Sequence, residues 1–290
     1  MIAMSNKSFG VIGFPWDGGA SLGRPGARYA PQAIRESAKW LHNRITNNQI
    51  YDVERRTLID VPLVIDYGDI DIVAYSTEAT FKNAETSIKK ILTDGNFPFI
   101  LGGDHSISYP GIKALHDYVG GKIAIIQFDA HLDLVDDSPI QGKFSQSSQI
   151  RRALELANVS PENIVQIGVR SYNYPWYADY LKEQGIVQIT AREVYHMSAA
   201  EVIERTLQAC KGVDAIYLTF DIDVLDPAFA PGSGANEPGG LTSMQCFGIL
   251  DGLYPHIAAM DIAEVNPLYD HQDVTISIGA KLLFDCLTKR

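Results

Sequence analysis

I-A-I-I-Q-F-D-A-H-L-D, running from Ile123 to Asp133, is the stretch on which the reading of the chain turns. Its opening, Ile123 to Phe128, is short and mostly apolar, the pattern of a strand buried on both faces. The run then breaks into Asp129, His131 and Asp133. Alternate residues of an extended chain share a side. Side chains at i, i+2 and i+4 are therefore expected to converge at the strand's carboxyl end, where open α/β sheets place their ligands. An acid in such a place is also a common turn former; what favours a site is repetition. Phe97 to Leu101 is another apolar run and breaks into Gly102-Gly103-Asp104-His105. Ile216 to Phe220 breaks into Asp221-Ile222-Asp223, and Ile257 to Met260 leads into Asp261-Ile262-Ala263-Glu264. Buried strands that release acids and imidazoles at one end load a core with charge unless a cation sits there. The pattern points to a metal cluster.

Working outward, Phe9 to Phe14 reads as the first strand and Pro15 to Gly26 as a Gly-rich loop carrying Trp16, Asp17 and Arg24. Its glycines match neither the dinucleotide fingerprint nor the P-loop, so a loop over the mouth of the site is expected. Helices are expected over Pro31–Leu41, Thr77–Asp94, Tyr109–Val119, Ser148–Ala157, Tyr174–Gln184 and Ala199–Ala209, and further strands over Leu63–Asp66, Ile164–Val169 and Val187–Ile189. Tyr67 to Asp71 reads as a turn, with its acids less suited to a metal role. Such alternation implies a mainly parallel sheet covered on both faces by helices. Two long polar loops, Leu134–Ser147 and Asp226–Thr242, are assigned to the substrate mouth. With 290 residues and no evident linker, residues 1–290 are expected to form a single catalytic domain.

A formal charge of −11 argues against nucleic acid and anionic membrane as partners. Cys210, Cys246 and Cys286 are odd in number and show no C-x-x-C pairing, which fits a reducing compartment. The polar start of the chain and the lack of a bilayer-length apolar run complete an expectation of a cytoplasmic protein.

The candidate ligands are His105, Asp129, His131, Asp133, Asp221 and Asp223: two imidazoles and four carboxylates. Four such charges balance two divalent ions that share bridging carboxylates. Oxygen-rich sites with some imidazole and no thiolate favour Mn²⁺, with Zn²⁺, Ni²⁺ and Co²⁺ still open. Paired ions lower the pKa of a shared water, so the expected reaction is hydrolysis. Glu264 lies outside the ligand motifs and is suited to grip a planar guanidinium or amidinium in bidentate fashion.

These residues resemble the arginase/agmatinase (ureohydrolase) family. The matching motifs are G-G-D-H-S at Gly102–Ser106, F-D-A-H-L-D at Phe128–Asp133, F-D-I-D-V-L-D-P at Phe220–Pro227, P-G-G-L-T at Pro238–Thr242 and D-I-A-E-V-N-P at Asp261–Pro267. The resemblance implies a three-layer αβα sandwich around an eight-stranded, mainly parallel sheet. It further implies two Mn²⁺ on the six named ligands, Glu264 as guanidinium anchor, and a homotrimer or homohexamer. Within the family, R-P-G-A-R-Y-A-P-Q-A-I-R at Arg24–Arg35 looks like the agmatinase branch and its guanidino-acid relatives. Asp66–Ile72 and Ile150–Glu155 resemble formimidoylglutamase and guanidine-hydrolase relatives.

One position departs from the family. Where its members commonly carry a His that shuttles protons, this chain has Gln146, and a carboxamide cannot accept and return a proton near neutral pH. His271 is a compensating candidate, with a surface role as the simpler reading. Agmatinase-like release of urea from agmatine is the first expectation. Formimidoylglutamase or another guanidino-acid or guanidine hydrolase is the alternative, and a metal-binding regulatory homologue impaired at Gln146 is the rival of a different class. A cationic substrate tail would seek Asp136 or Asp137, and an acidic one Arg151, Arg152 or Arg170.

Overall fold

The computed structural model describes residues 8–19 and 24–290. Strand β1 (Ser8–Gly13) is followed by α1 (Ala30–His42), which starts with Pro31 in its first turn, a position where the missing N–H costs nothing. A small antiparallel hairpin, β2 (Gln49–Asp52) and β3 (Thr57–Asp60), leads into β4 (Leu63–Asp69). Helix α2 (Thr77–Thr93) is capped by Ser76, whose hydroxyl accepts from Ala79 N. Then come β5 (Phe97–Leu101), α3 (Ser108–Val119), which ends on Gly120 in the left-handed region, and β6 (Ile123–Phe128). The chain continues through α4 (Gln149–Ala153), β7 (Val159–Ile167), α5 (Tyr177–Gln184), β8 (Val187–Ile189), α6 (Ala191–His196) and α7 (Ala199–Ala209). It closes with β9 (Ala215–Asp221), α8 (Ser243–Leu253), β10 (Ala259–Ala263) and α9 (Val274–Lys289).

Eight strands form one parallel sheet in the order β4-β1-β5-β10-β9-β6-β7-β8. On one face Ile34 of α1, Val202 of α7, Leu250 of α8 and Leu282 of α9 pack with Val11, Leu101, Ile126 and Phe220. On the other, α3, α4 and α5 cover Ile125, Ile164 and Tyr217, while α2 covers Ile12 and Ile100. The result is the three-layer αβα sandwich. Strand residues alternate between these two cores, as the pleat requires.

Several elements differ from the expectation. The turn over Tyr67–Asp71 is instead largely the end of β4, where Asp66 and Asp69 pair with Arg35 and stand apart from the metal-competent cluster. The helix expected over Ser148–Ala157 is regular only from Gln149 to Ala153, and β7 begins at Val159, five residues ahead of Ile164. Its pairing with β6 skips from Val159 to Ile164, a bulge that takes up Pro161. Helices α6, α8 and α9 and the β2–β3 hairpin were not foreseen.

Candidate metal centre

The four strands whose ends break into acids and histidine are β5, β10, β9 and β6, neighbours in the middle of the sheet. Their carboxyl ends therefore deliver Asp104-His105, Glu264, Asp221-Asp223 and Asp129-His131-Asp133 to one place. The path beyond β6 is not the extended alternation expected, because the strand stops at Phe128 and Asp133 takes a left-handed φ of +53°. Glu264 likewise has φ +61°. Non-glycine residues hold such angles at a cost of about 1–3 kcal/mol, and they cluster at functional sites.

Two sets of metal-competent side chains lie within reach of common points, His105–Asp129–Asp221 and Asp129–His131–Asp223, and they share Asp129. His105 Nδ1 is 2.9 Å from Asp129 Oδ2, 2.9 Å from Asp221 Oδ2 and 3.1 Å from Asp133 Oδ2. His131 Nδ1 is 3.1 Å from Asp223 Oδ2 and 3.4 Å from Asp129 Oδ1. All except the half-exposed His131 ring are buried. Despite this crowding, His105 Nδ1 and Asp223 Oδ2 make no properly directed hydrogen bond among the described residues. Lone pairs that surround a point without bonding one another are what a cation site leaves behind. The donors are oxygen and imidazole with no thiolate, so the residues present fit two hard or borderline divalent ions.

The electrostatics agree. Burial opposes charge on both imidazoles, but Asp221 beside His105 and Asp223 beside His131 outweigh it and hold both well above the usual range. Burial alone would raise Asp129; contacts with His105 and His131 instead hold it well below. Asp133, buried and facing Asp129, is pushed up to about 7, and burial with Asp223 and Asp129 nearby pushes Asp221 well above the ordinary carboxylate range. So many acids in a dry space call for positive charge.

The candidate ligands are held from behind. His105 Nε2 lies 2.8 Å from Thr219 Oγ1, which donates to Asp261 Oδ1 at 2.8 Å; Tyr217 OH donates to Asp261 Oδ2 at 2.7 Å. A carboxylate at the end of this chain orders the hydroxyl and favours the proton on Nε2, leaving Nδ1 free to ligate. Asp221 and Asp223 are ordered locally, since Asp221 Oδ1 accepts from Asp223 N at 2.8 Å and Asp223 Oδ1 from Ala130 N at 3.1 Å. Gln127 and Gln149 both donate to Asp133. Gln127 and Thr219 were missed in the sequence, although each is a lone polar residue in an apolar run, two positions ahead of a candidate ligand; Asp261, expected among the acids released at a strand end, instead lies within β10 and backs His105 through Thr219.

Glu264 Oε1 accepts from His105 N at 2.9 Å, and burial together with Asp104 raises its carboxyl to about 8. Its other oxygen faces Gly234, where a Cβ would come to 3.5 Å. Gln146 lies in the loop after Asp133, with its N–H on Gly19 O at 3.0 Å and its buried Oε1 without a partner among the described residues. Gly19 N in turn donates to Asp104 Oδ2 at 2.6 Å, which ties the Pro15–Gly26 loop to the site; residues 20–23 of that loop lie outside those described. His271 is exposed.

The candidate tail readers are mostly committed elsewhere. Asp136 binds Arg151 and the buried Arg152, and Arg152 also meets Glu155 at 3.1 Å. Arg170 spends its guanidinium on the carbonyls of Gly168, Asp223, Val224, Leu225 and Glu237. Asp137 is exposed and makes no ion pair among the described residues. A cation not foreseen for this role, Arg24, lies at the rim: its carbonyl accepts from Asn266 Nδ2 at 3.0 Å, its guanidinium sits 5.7 Å from the Tyr269 ring centroid, and it meets no carboxylate among the described residues.

Residues 7–288 match the family model described as Arginase family. The agmatinase, mitochondrial, of Gallus gallus is 35% identical over 280 residues, covering 95% of this chain and 79% of that protein. The solved structure of proclavaminate amidino hydrolase from Streptomyces clavuligerus superimposes with a TM-score of 0.86 at 29% identity, covering 97% of this chain and 91% of the other. That of formimidoylglutamase from Bacillus subtilis subsp. subtilis str. 168 gives 0.85 at 29% identity, covering 97% and 86%.

Proposed function

We propose, from the premise that the chain belongs to the arginase family and is a hydrolase of C–N bonds in guanidino compounds, that it is an agmatinase-like, Mn²⁺-dependent enzyme releasing urea from agmatine. The observation that carries this reading is the pair of ligand sets sharing Asp129, with Glu264 beside them. In it, His105, Asp129 and Asp221 would hold one ion, Asp129, His131 and Asp223 the other, and Asp133 would complete the first. Such ions supply positive charge that makes water a better nucleophile and polarises the carbon under attack. Glu264 seats the guanidinium with its free oxygen, and Gly234 leaves the space that the planar cation needs.

Gln146 cannot carry a proton, so in this chain its amide orients substrate or water and protons leave by another group. The buried cysteines suit a reducing cytoplasm, and a homo-oligomeric assembly is part of the same reading. Among the described residues no helix is long and apolar enough to cross a membrane.

A second reading, a guanidino or formimino acid as substrate, is favoured by Arg24, a cation at the rim of the Glu264 pocket without a carboxylate partner among the described residues. The test is a panel of agmatine, guanidinobutyrate, guanidine, arginine and formiminoglutamate with added Mn²⁺, with urea and formamide assayed separately. Urea from agmatine supports the first reading, and preference for an acidic substrate supports the second. Silence throughout, with metal bound, would overturn both and leave a regulatory homologue.

A further inference from the structure

Three glutamines form a chain that ends on the candidate ligands. Gln188, Gln166 and Gln127 are register partners on β8, β7 and β6, and Gln127 and Gln166 are fully buried. Gln188 Nε2 donates to Gln166 Oε1 at 2.9 Å. Gln166 Nε2 donates to Gln127 Oε1 at 2.8 Å and to Leu132 O at 2.7 Å. Gln127 Nε2 donates to Asp129 Oδ2 at 2.6 Å and to Asp133 Oδ2 at 3.0 Å. Every donor points the same way, from the sheet edge toward the site. Reversing the Gln127 amide would turn its oxygen on two carboxylates and its Nε2 on that of Gln166, so the chain admits one orientation.

We propose that Gln127 is a positioning residue for the metal centre, fixed by Gln166 and Gln188, which sets Asp129 and Asp133 in place before any ion arrives. A carboxamide is suited to this work, because it donates two hydrogen bonds without adding a charge that would compete with the ion. Asp129 is the carboxylate common to both ligand sets, so its placement governs both. Gln166 adds a second restraint through Leu132 O, between His131 and Asp133. This inference rests on reading Asp129 and Asp133 as ligands.

The test is titration of the metal-free protein with Mn²⁺, followed by the electron paramagnetic resonance signal of the free ion, alongside thermal unfolding of each metal-free variant. Gln127→Met, close in volume but without a donor, should bind Mn²⁺ at least about tenfold more weakly, while the metal-free variant, although less stable for the lost buried hydrogen bonds, still unfolds cooperatively. Gln166→Met should weaken binding in the wild-type background and by less in the Gln127→Met background, since part of its effect passes through Gln127. Should Gln127→Met fail to fold, Gln166→Met alone carries the prediction. Wild-type affinity in a folded variant, or equal effects of Gln166→Met in both backgrounds, would overturn the proposal. Failure of the wild-type protein to bind Mn²⁺ would instead overturn the metal reading beneath it.

Discussion

Asp129 reaches both histidines at once, with Oδ2 2.9 Å from His105 Nδ1 and Oδ1 3.4 Å from His131 Nδ1. One carboxylate spanning two imidazoles, each backed by its own aspartate, is the feature from which the other expectations descend.

Asp129→Ala should leave a folded protein that has lost most of both ions, because the side chain serves two sets while the sheet beneath is untouched. Asp223→Ala should empty only the set containing His131. Equilibrium dialysis against Mn²⁺ with elemental analysis distinguishes the two, and equal metal content in both variants would contradict the sharing.

On the proposed role of Glu264 as guanidinium anchor, Glu264→Gln removes a carboxyl that would ionise against the bound cation and should lower kcat/KM by a factor equivalent to about 2–5 kcal/mol, the range for losing one partner of a buried charge pair. Metal content should remain unchanged. Gly234→Ala, whose new methyl would stand 3.5 Å from the Glu264 oxygen, should raise KM for the guanidino substrate. Steady-state kinetics on the best substrate of the panel checks both.

Gln146→His tests whether proton transfer limits the reaction. A gain in kcat is expected if it does, whereas Gln146→Ala should change kcat by less than about tenfold, since the amide contributes orientation rather than general acid–base catalysis.

Stability should carry an acid limb from Asp226. Its carboxylate accepts from the N–H groups of Ala228 at 3.0 Å, Gly239 at 2.7 Å and Gly240 at 3.2 Å, and these bonds lower its pKa. A carboxyl depressed in the folded state stabilises at pH above its unfolded value, near about 3.9, and that contribution is lost as pH falls through the lower folded value. Asp226→Asn should therefore lower Tm at pH 6 more than at pH 3. An equal drop at both would contradict this account of the 226–242 loop.

Much of the candidate site's gathering was legible because each candidate ligand stands where an apolar run breaks, and burial forces such breaks to the end of a strand. The route of the chain past Phe128 was not legible, since nothing in D-A-H-L-D announces that Asp133 adopts a positive φ. Helices α6 and α8 escaped a reading based on apolar period: α6 is short, and α8 is apolar nearly all round. Both carried another signal, the reciprocal caps Thr190–Glu193 and Thr242–Gln245. The engagement of Asp136 by Arg151 and Arg152 is a tertiary fact, which charge type alone does not reveal.

The most direct test of the central claim is an anomalous difference map from crystals grown with Mn²⁺ and measured near the manganese absorption edge. The account predicts two peaks per chain, one bounded by His105, Asp129 and Asp221 and the other by His131, Asp129 and Asp223. No peak beside Asp129, or ions bound only away from it, would contradict it.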